Sequence, residues 1–191
     1  MERDYGVWKF SGKEKAKLIL SYLGLCGLVS WLFYHSFWAV LPFLAGLPVF
    51  LKKSREKRIK ERREELLTEF LTGIRAIASA LDAGYSMENA LGEALKETEK
   101  VYGMDGVFTE ELREMERKRN LNQSMETLWA DLGKRSGLED IENFGEIFQV
   151  ARRSGGNLKE IIQSTADNIT RKTETRREIE ISLAAKKMEQ K

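Results

Sequence analysis

Residues 66–95 read LLTEFLTGIRAIASALDAGYSMENALGEAL and contain two successive apolar stripes. In both stripes the apolar residues recur three and four positions apart, which places them on one face of an α-helix. Gly84 ends the first helix, because glycine readily adopts the left-handed conformation that closes a helix. Ser86 follows as the candidate N-cap of the second helix. The stretch therefore predicts a helix, a short turn and another helix.

Similar stripes continue towards the C-terminus and predict four further helices. Their inward-facing positions are Phe108, Leu112 and Met115; Met125, Leu128, Trp129 and Leu132; Ile141, Phe144, Phe148 and Ala151; and Leu158, Ile161, Ile162, Thr165, Ala166 and Ile169. No segment alternates apolar and polar residues in the manner of a strand. We therefore predict an all-α domain over residues 64–170, with its Asp and Glu residues on solvated helix faces.

The first helix–turn–helix has a counterpart 71 residues later in the chain. This offset places Gly84 on Gly155 and Ser86 on Asn157. Gly155, Gly156 and Asn157 are therefore a second candidate helix stop and cap. The correspondence indicates either an internal repeat of a helical hairpin or a coincidence, because every helical hairpin needs similar residues at its turn.

The last segment, residues 171–191, has a different character from the helical domain. Residues 171–178 are polar on every side of a helix, so a helix here is expected to project from the bundle. An apolar face resumes beyond them, at Ile179, Leu183, Ala184 and Met188.

The opposite end of the chain contains a long uncharged stretch. Residues 18–51 are 34 residues without Asp, Glu, Lys or Arg. As one helix they would measure about 51 Å, against a hydrocarbon core of roughly 30 Å. We therefore predict a transmembrane helical hairpin of two spans that turns near residues 34–36. Pro42 and Pro48 lie in the second span and are expected to kink it.

The flanks of this stretch predict its orientation. Residues 1–17 and 52–63 are both rich in Lys and Arg, and basic flanks are retained in the cytoplasm. Both ends are then cytoplasmic, which requires an even number of crossings. Trp31, Tyr34, Phe37 and Trp38 would lie at the outer turn. A signal peptide and a pair of buried core helices are the alternatives, but the stretch is too long for a signal peptide and runs directly into Lys52 and Lys53.

The basic stalk, residues 52–63, has three possible uses. It retains the hairpin and contacts anionic lipid headgroups, or it binds an acidic partner. Nucleic-acid binding is not expected, because the stalk lacks interleaved aromatic residues. The candidate contact residues are Lys52, Lys53, Arg55, Lys57 and Arg58.

The sequence contains no recognisable active site. The nearest approach to a nucleotide-binding loop, Gly6 to Lys13, has one residue too many and lacks the following Ser or Thr. His35 and Cys26 are the only residues of their types, so neither a His/Cys zinc site nor a Cys-His or Ser-His catalytic group can be assembled. We predict that the chain is not an enzyme and needs no cofactor or metal.

Three stretches carry a resemblance to a known family. They are FLTGIRAIASALDAGYSMENAL at residues 70–91, FQVARRSGGNL at 148–158 and AAKKME at 184–189. With the preceding hairpin they resemble the type II secretion system F domain family, and within it the tight-adherence pilus platform proteins of the B/C type. The resemblance implies a cytoplasmic bundle of about six helices in a multi-pass protein of the bacterial inner membrane. Members usually continue into further C-terminal spans, so residues 171–191 are expected to lead towards spans missing from this chain.

The resemblance also implies a function and a set of partners. Such a platform subunit couples a separate secretion ATPase to pilin subunits and works with a second platform protein, as a homo- or hetero-oligomer. It has no activity or cofactor of its own. Neither the sequence nor the resemblance identifies the face that meets the ATPase; the turns around Gly84 and Gly155 are a candidate, and a role only as helix ends is the alternative. A membrane-anchored helical adaptor or signalling protein is the alternative function.

Overall fold

A computed structural model of the 191-residue chain describes residues 4–8, 10–34, 46–154 and 157–189. These residues form seven α-helices and no strand, so the all-α prediction is confirmed for them. The helices are α1 (Gly12–Tyr34), α2 (Leu47–Asp82), α3 (Met87–Tyr102), α4 (Val107–Asn120), α5 (Met125–Ser136), α6 (Glu139–Ser154) and α7 (Leu158–Glu189). The chain forms two compact units, a smaller one over Asp4–Arg62 and a larger one that includes Arg63–Lys191.

The smaller unit contains α1 and the start of α2. The rings of Tyr22 and Phe50 lie 4.9 Å apart and join the two helices. Towards residue 62, the guanidinium of Arg62 lies 5.9 Å from the ring centre of Tyr5 and 5.6 Å from that of Trp8. Cation–π attraction therefore holds the N-terminal segment against α2.

No helix within the described part of the chain is both long enough and apolar enough to cross a membrane. The expected hairpin turn after Tyr34, with Phe37, Trp38 and Pro42, lies outside the described residues.

The structure corrects the prediction that Pro48 kinks a helix. Pro48 is the second residue of α2, and the first backbone bond of that helix runs from Phe50 N to Gly46 O at 3.0 Å. In the first turn a proline loses no hydrogen bond, because its missing N–H would have had no partner in the helix.

The larger unit has one apolar core built from the predicted stripes. Its centre is a group of five buried aromatic side chains: Phe70, Phe108, Trp129, Phe144 and Phe148. The ring centres of Trp129 and Phe144 are 4.8 Å apart, and Phe70 lies 5.3 Å from both Phe108 and Phe144 in edge-to-face geometry. These contacts join α2, α4, α5 and α6, and edge-to-face pairs add to the stabilisation from burial.

Helices α5 and α6 approach each other through their backbones. A Cβ atom built on Gly145 would lie 2.9 Å from the carbonyl oxygen of Trp129, and one built on Gly133 would lie 2.9 Å from the Cα of Glu142. Both distances are shorter than side-chain contacts allow, so this pair of helices requires glycine at both positions.

Two carboxylates contradict the expectation that all acidic residues are solvated. Glu69 and Glu111 are 7% and 5% exposed. Glu69 Oε2 accepts a hydrogen bond from the backbone N–H of Phe108 (2.8 Å), at the start of α4. Glu111 accepts two hydrogen bonds from Arg135, at 2.8 and 3.1 Å. Both carboxylates are buried because they have partners, which is the condition for burying a charge.

Arg135 completes this buried group by donating from Nε to Asp131 Oδ2 at 2.8 Å. Burial disfavours its charge, but the bonds to Glu111 and Asp131 outweigh that cost and raise the pKa of Arg135. Arg135 therefore remains protonated and ties α4 to α5.

The larger unit has two distinguishable ends. At one, which we call the proximal end, Arg63 packs against Gly137 in the α5–α6 turn. Lys172 of α7 also reaches this end, where its Nζ lies 2.7 Å from Asp140 Oδ1. The chain thus enters the unit and α7 leaves it at the same end. We call the opposite end, where α2, α4 and α6 finish, the distal end.

The C-terminal part of α7 extends past the proximal end. Ile169 is its last buried residue, and every side chain described from 171 to 188 is exposed. The 17 residues from 173 to 189 correspond to about 25 Å of helix.

Candidate interaction surface

The distal end is formed by three turns between helices, α2–α3, α4–α5 and α6–α7. In the first, Gly84 has φ +87°, and Tyr85 N donates to Ala80 O at 3.0 Å. The Oγ of Ser86 then accepts a hydrogen bond from Asn89 N–H at 3.3 Å. Left-handed glycine and N-cap together satisfy backbone groups that helix ends leave unpaired.

The other two turns use the same chemistry. Ser124 Oγ accepts from Thr127 N–H at 3.3 Å, and Asn157 Oδ1 accepts from Glu160 N–H at 3.5 Å. Asn122 adopts φ +64°, a conformation that asparagine tolerates better than most residues. Sequence reasoning missed the α4–α5 turn, although Asn122 and Ser124 were available as signals. Gly155 and Gly156 lie outside the described residues.

A group of charged residues links the helices at this end. Lys159 Nζ lies 2.6 Å from Asp82 Oδ1 and so joins α7 to α2. Arg152 of α6 bridges Glu88 of α3 at 3.3 Å and Glu126 of α5 at 3.1 Å. We call these residues the ionic belt: Asp82, Glu88, Arg119, Glu126, Arg152 and Lys159, one from each helix of the larger unit.

Arg119 of α4 completes the belt by donating from Nη1 to the backbone oxygen of Glu88. The Glu88 carboxylate accepts from its own backbone N–H, from Arg152 and from Ser86, and these bonds lower its pKa. Glu88 is therefore ionised at neutral pH. The belt brings the predicted turns near Gly84 and Asn157 together, which the sequence alone did not establish.

Exposed apolar side chains lie beside the belt. Tyr85 is 49% exposed in the α2–α3 turn, and Leu121 is 68% exposed in the α4–α5 turn. Val150, one turn before the end of α6, is 66% exposed. Aromatic and aliphatic groups surrounded by charges are typical of protein-binding surfaces.

Tyr85 also lies at one end of a groove between α2 and α3. The groove has a volume of about 500 Å³ and is lined on the α2 side mainly by small residues, among them Ala76, Ser79 and Ala83. Glu93 and Glu97 line its α3 side. It is open and shallow, and it contains no group of side chains arranged for catalysis.

The predicted lipid or partner contacts lie elsewhere, in the smaller unit. Lys52, Lys53, Arg55, Lys57 and Arg58 are all exposed on α2. Lys57 Nζ is 3.7 Å from Glu61, a weak surface pair. These side chains are available to bind an anionic surface.

Metal binding finds no support in the part of the chain that the structure describes, where no group of three or more His, Cys, Asp or Glu residues could hold an ion. The described geometry is that of a helical scaffold with charged and apolar side chains exposed at its distal end. Residues 74–189, more than half of the chain, match the family model of protein F of the type II secretion system, and the chain belongs to this family. Proteins of this family are non-enzymatic platform components of the inner membrane. Comparison with curated proteins and with solved structures gave no match.

Proposed function

We propose that the chain is an inner-membrane platform subunit of a tight-adherence pilus or a type II secretion system. In this role it couples a separate cytoplasmic ATPase to the assembly of pilin subunits or to secretion. The observation that carries the proposal is the family match over residues 74–189. The helical scaffold, with an interaction surface instead of an active site, is consistent with a part that transmits movement.

The membrane arrangement is part of the same proposal. Residues 18–51 form the membrane hairpin, residues 1–17 and 52–63 lie on its cytoplasmic side, and the domain over residues 64–170 is cytoplasmic. The exposed basic side chains from Lys52 to Arg58 support this arrangement, because such residues are attracted to anionic lipids by roughly 1 kcal/mol each near the surface.

The proposal also concerns the two ends of the larger unit. The chain enters at Arg63 and α7 leaves past Lys172 at the proximal end. Under the proposal, the part of α7 beyond Lys172 leads towards the membrane. A second platform protein and other copies of the chain are the partners expected within the membrane.

A pull-down tests the proposal directly. The full-length chain, purified in detergent with an affinity tag, is mixed with the secretion ATPase and with the pilin of the same organism. Retention of the ATPase, together with loss of pili or secretion when the chain is deleted, is the expected result. Normal piliation and secretion without the chain, with no retention of the ATPase, would refute the proposal.

A second experiment addresses the hairpin alone. Cysteines placed singly at Gly6 and at Ser36, in a Cys26→Ser background, are treated in intact cells with a thiol reagent that does not cross membranes. We expect labelling at position 36 and none at position 6. Equal labelling at both positions would contradict a crossing between them, and labelling only at position 6 would contradict a cytoplasmic N-terminus.

A further inference from the structure

The distal end differs in charge from the rest of the larger unit. We count as distal the turns and the adjoining helix ends, residues 80–90, 117–127 and 149–160. They contain six basic and four acidic residues. All other residues of 64–170 contain six basic and seventeen acidic residues. The domain therefore carries a net positive charge at one end of an otherwise strongly acidic body.

This positive charge is presented by side chains that are open to solvent. Arg152 is 39% and Lys159 48% exposed, although both take part in the ionic belt. Arg153 is exposed as well. Such a distribution favours approach of an acidic surface and disfavours contact of that surface with the sides of the bundle, because like charges repel.

The same end offers apolar anchors on a rigid frame. Tyr85 and Leu121 lie in turns held by capping bonds. The ionic belt joins α2 to α7 through one ion pair and joins α3, α4, α5 and α6 through the contacts of Glu88, Arg119, Glu126 and Arg152. A preorganised surface loses little conformational entropy on binding. Helix α2 enters the larger unit and α7 leaves it at the proximal end, so neither lies in the way of a partner at the distal end.

From these observations we infer that the distal end is the docking surface for an acidic protein surface, with Tyr85 and Leu121 as apolar anchors and Arg153 as a steering charge. The inference rests on the proposed function, under which the partner that approaches from the cytoplasm is the secretion ATPase. It adds the location of the contact and the charge that the partner must carry.

The test measures binding of the purified ATPase to the full-length chain in detergent, over a series of salt concentrations. The distal variant is Leu121→Ser combined with Arg153→Glu. Both side chains are exposed, so the fold is expected to persist, and circular dichroism checks that it does. The control is Lys134→Glu, which makes the same change of charge at an exposed position near the proximal end.

We expect the distal variant to weaken binding about tenfold or more and to reduce its salt dependence, because an anchor and a steering charge are lost together. Lys134→Glu should bind within about twofold of the unmodified chain, since peripheral charges away from an interface matter little. The Arg153→Glu change alone should mainly slow association.

The possible outcomes distinguish a wrong docking surface from a wrong proposed function. If the ATPase binds the unmodified chain and the distal variant equally well, the docking surface is wrong and the proposed function stands. If Lys134→Glu weakens binding as much as the distal variant, the location is also wrong. If the ATPase does not bind the unmodified chain, the proposed function fails and the inference falls with it.

Discussion

The close contact between α5 and α6 makes a sharp prediction for Gly145→Ala. The new Cβ would lie 2.9 Å from the carbonyl oxygen and 3.2 Å from the carbonyl carbon of Trp129. These are backbone atoms, so no side-chain rotation can relieve the overlap and the two helices must separate. Overpacking of a core costs about 1–3 kcal/mol. The gain in helix propensity from Gly to Ala is about 1 kcal/mol. We expect a net destabilisation of up to about 2 kcal/mol relative to the unmodified chain, which is about 1–3 kcal/mol worse than a glycine-to-alanine change without overlap.

Gly92→Ala provides a matched control. Gly92 also lies in the interior of a helix, but a Cβ there would meet only Glu116 Oε1, at an ordinary 3.5 Å. We expect this variant to be more stable than the unmodified chain by about 0.5–1 kcal/mol, the propensity gain alone.

The assay is urea denaturation of the full-length chain followed by circular dichroism, with hydrogen exchange to locate the effect. Gly145→Ala should increase exchange in α5 and α6 more than in α3. Stabilisation of Gly145→Ala as large as that of Gly92→Ala would refute the reasoning, because it would mean that the two backbones separate without cost.

Three further predictions concern the caps and charges. Ser86→Ala removes the acceptor for Asn89 N–H and should cost about 1 kcal/mol in urea denaturation, whereas Ser86→Asn should be nearly neutral. Glu111→Ala removes both hydrogen bonds between Glu111 and the largely buried side chain of Arg135 and should cost about 3 kcal/mol. Glu111→Leu combined with Arg135→Leu should recover most of it, and failure to recover would mean that the charges themselves are needed. The pKa of Glu88 is lower in the folded state than its ordinary value of 4.5, so its contribution to stability is complete above that pH and is lost as the pH falls through the folded-state pKa. Thermal unfolding of Glu88→Gln should therefore show a lower melting temperature than the unmodified chain at pH 6 and a smaller difference at pH 3; a constant difference would contradict this assignment.

The helices of the larger unit were predictable because their signals are local. Apolar spacing identified the buried faces that include Phe70, Trp129 and Phe144, and Gly84 with Ser86 indicated a helix boundary. Each of these signals depends on residues within about one helical turn, which are close to each other both in sequence and in space.

The candidate interaction surface was only partly predictable, and the burial of two carboxylates elsewhere in the larger unit was not predictable. The spacing of the charges predicted that Glu69 and Glu111 are solvated, because a sequence pattern does not reveal tertiary partners. In the structure Glu69 accepts from Phe108 N–H and Glu111 from Arg135. The residues of the ionic belt looked like ordinary surface charges for the same reason. The expectation of a kink at Pro48 was wrong because a proline removes a helical hydrogen bond only beyond the first turn. Pro48 is the second residue of α2, where no such bond is lost.

The sequence by itself determined that this chain is helical beyond residue 64. It also indicated the boundaries of most of these helices and the family that the chain resembles. The tertiary structure alone decided that the turns at Gly84 and Asn157 meet at one end, that α2 enters and α7 leaves at the other, and that glycines bring α5 against α6. The physical reason is the range of the interactions. Backbone propensity and side-chain periodicity act within one helix, whereas ion pairs such as Asp82–Lys159 join residues far apart in the chain and exist only after the helices have packed.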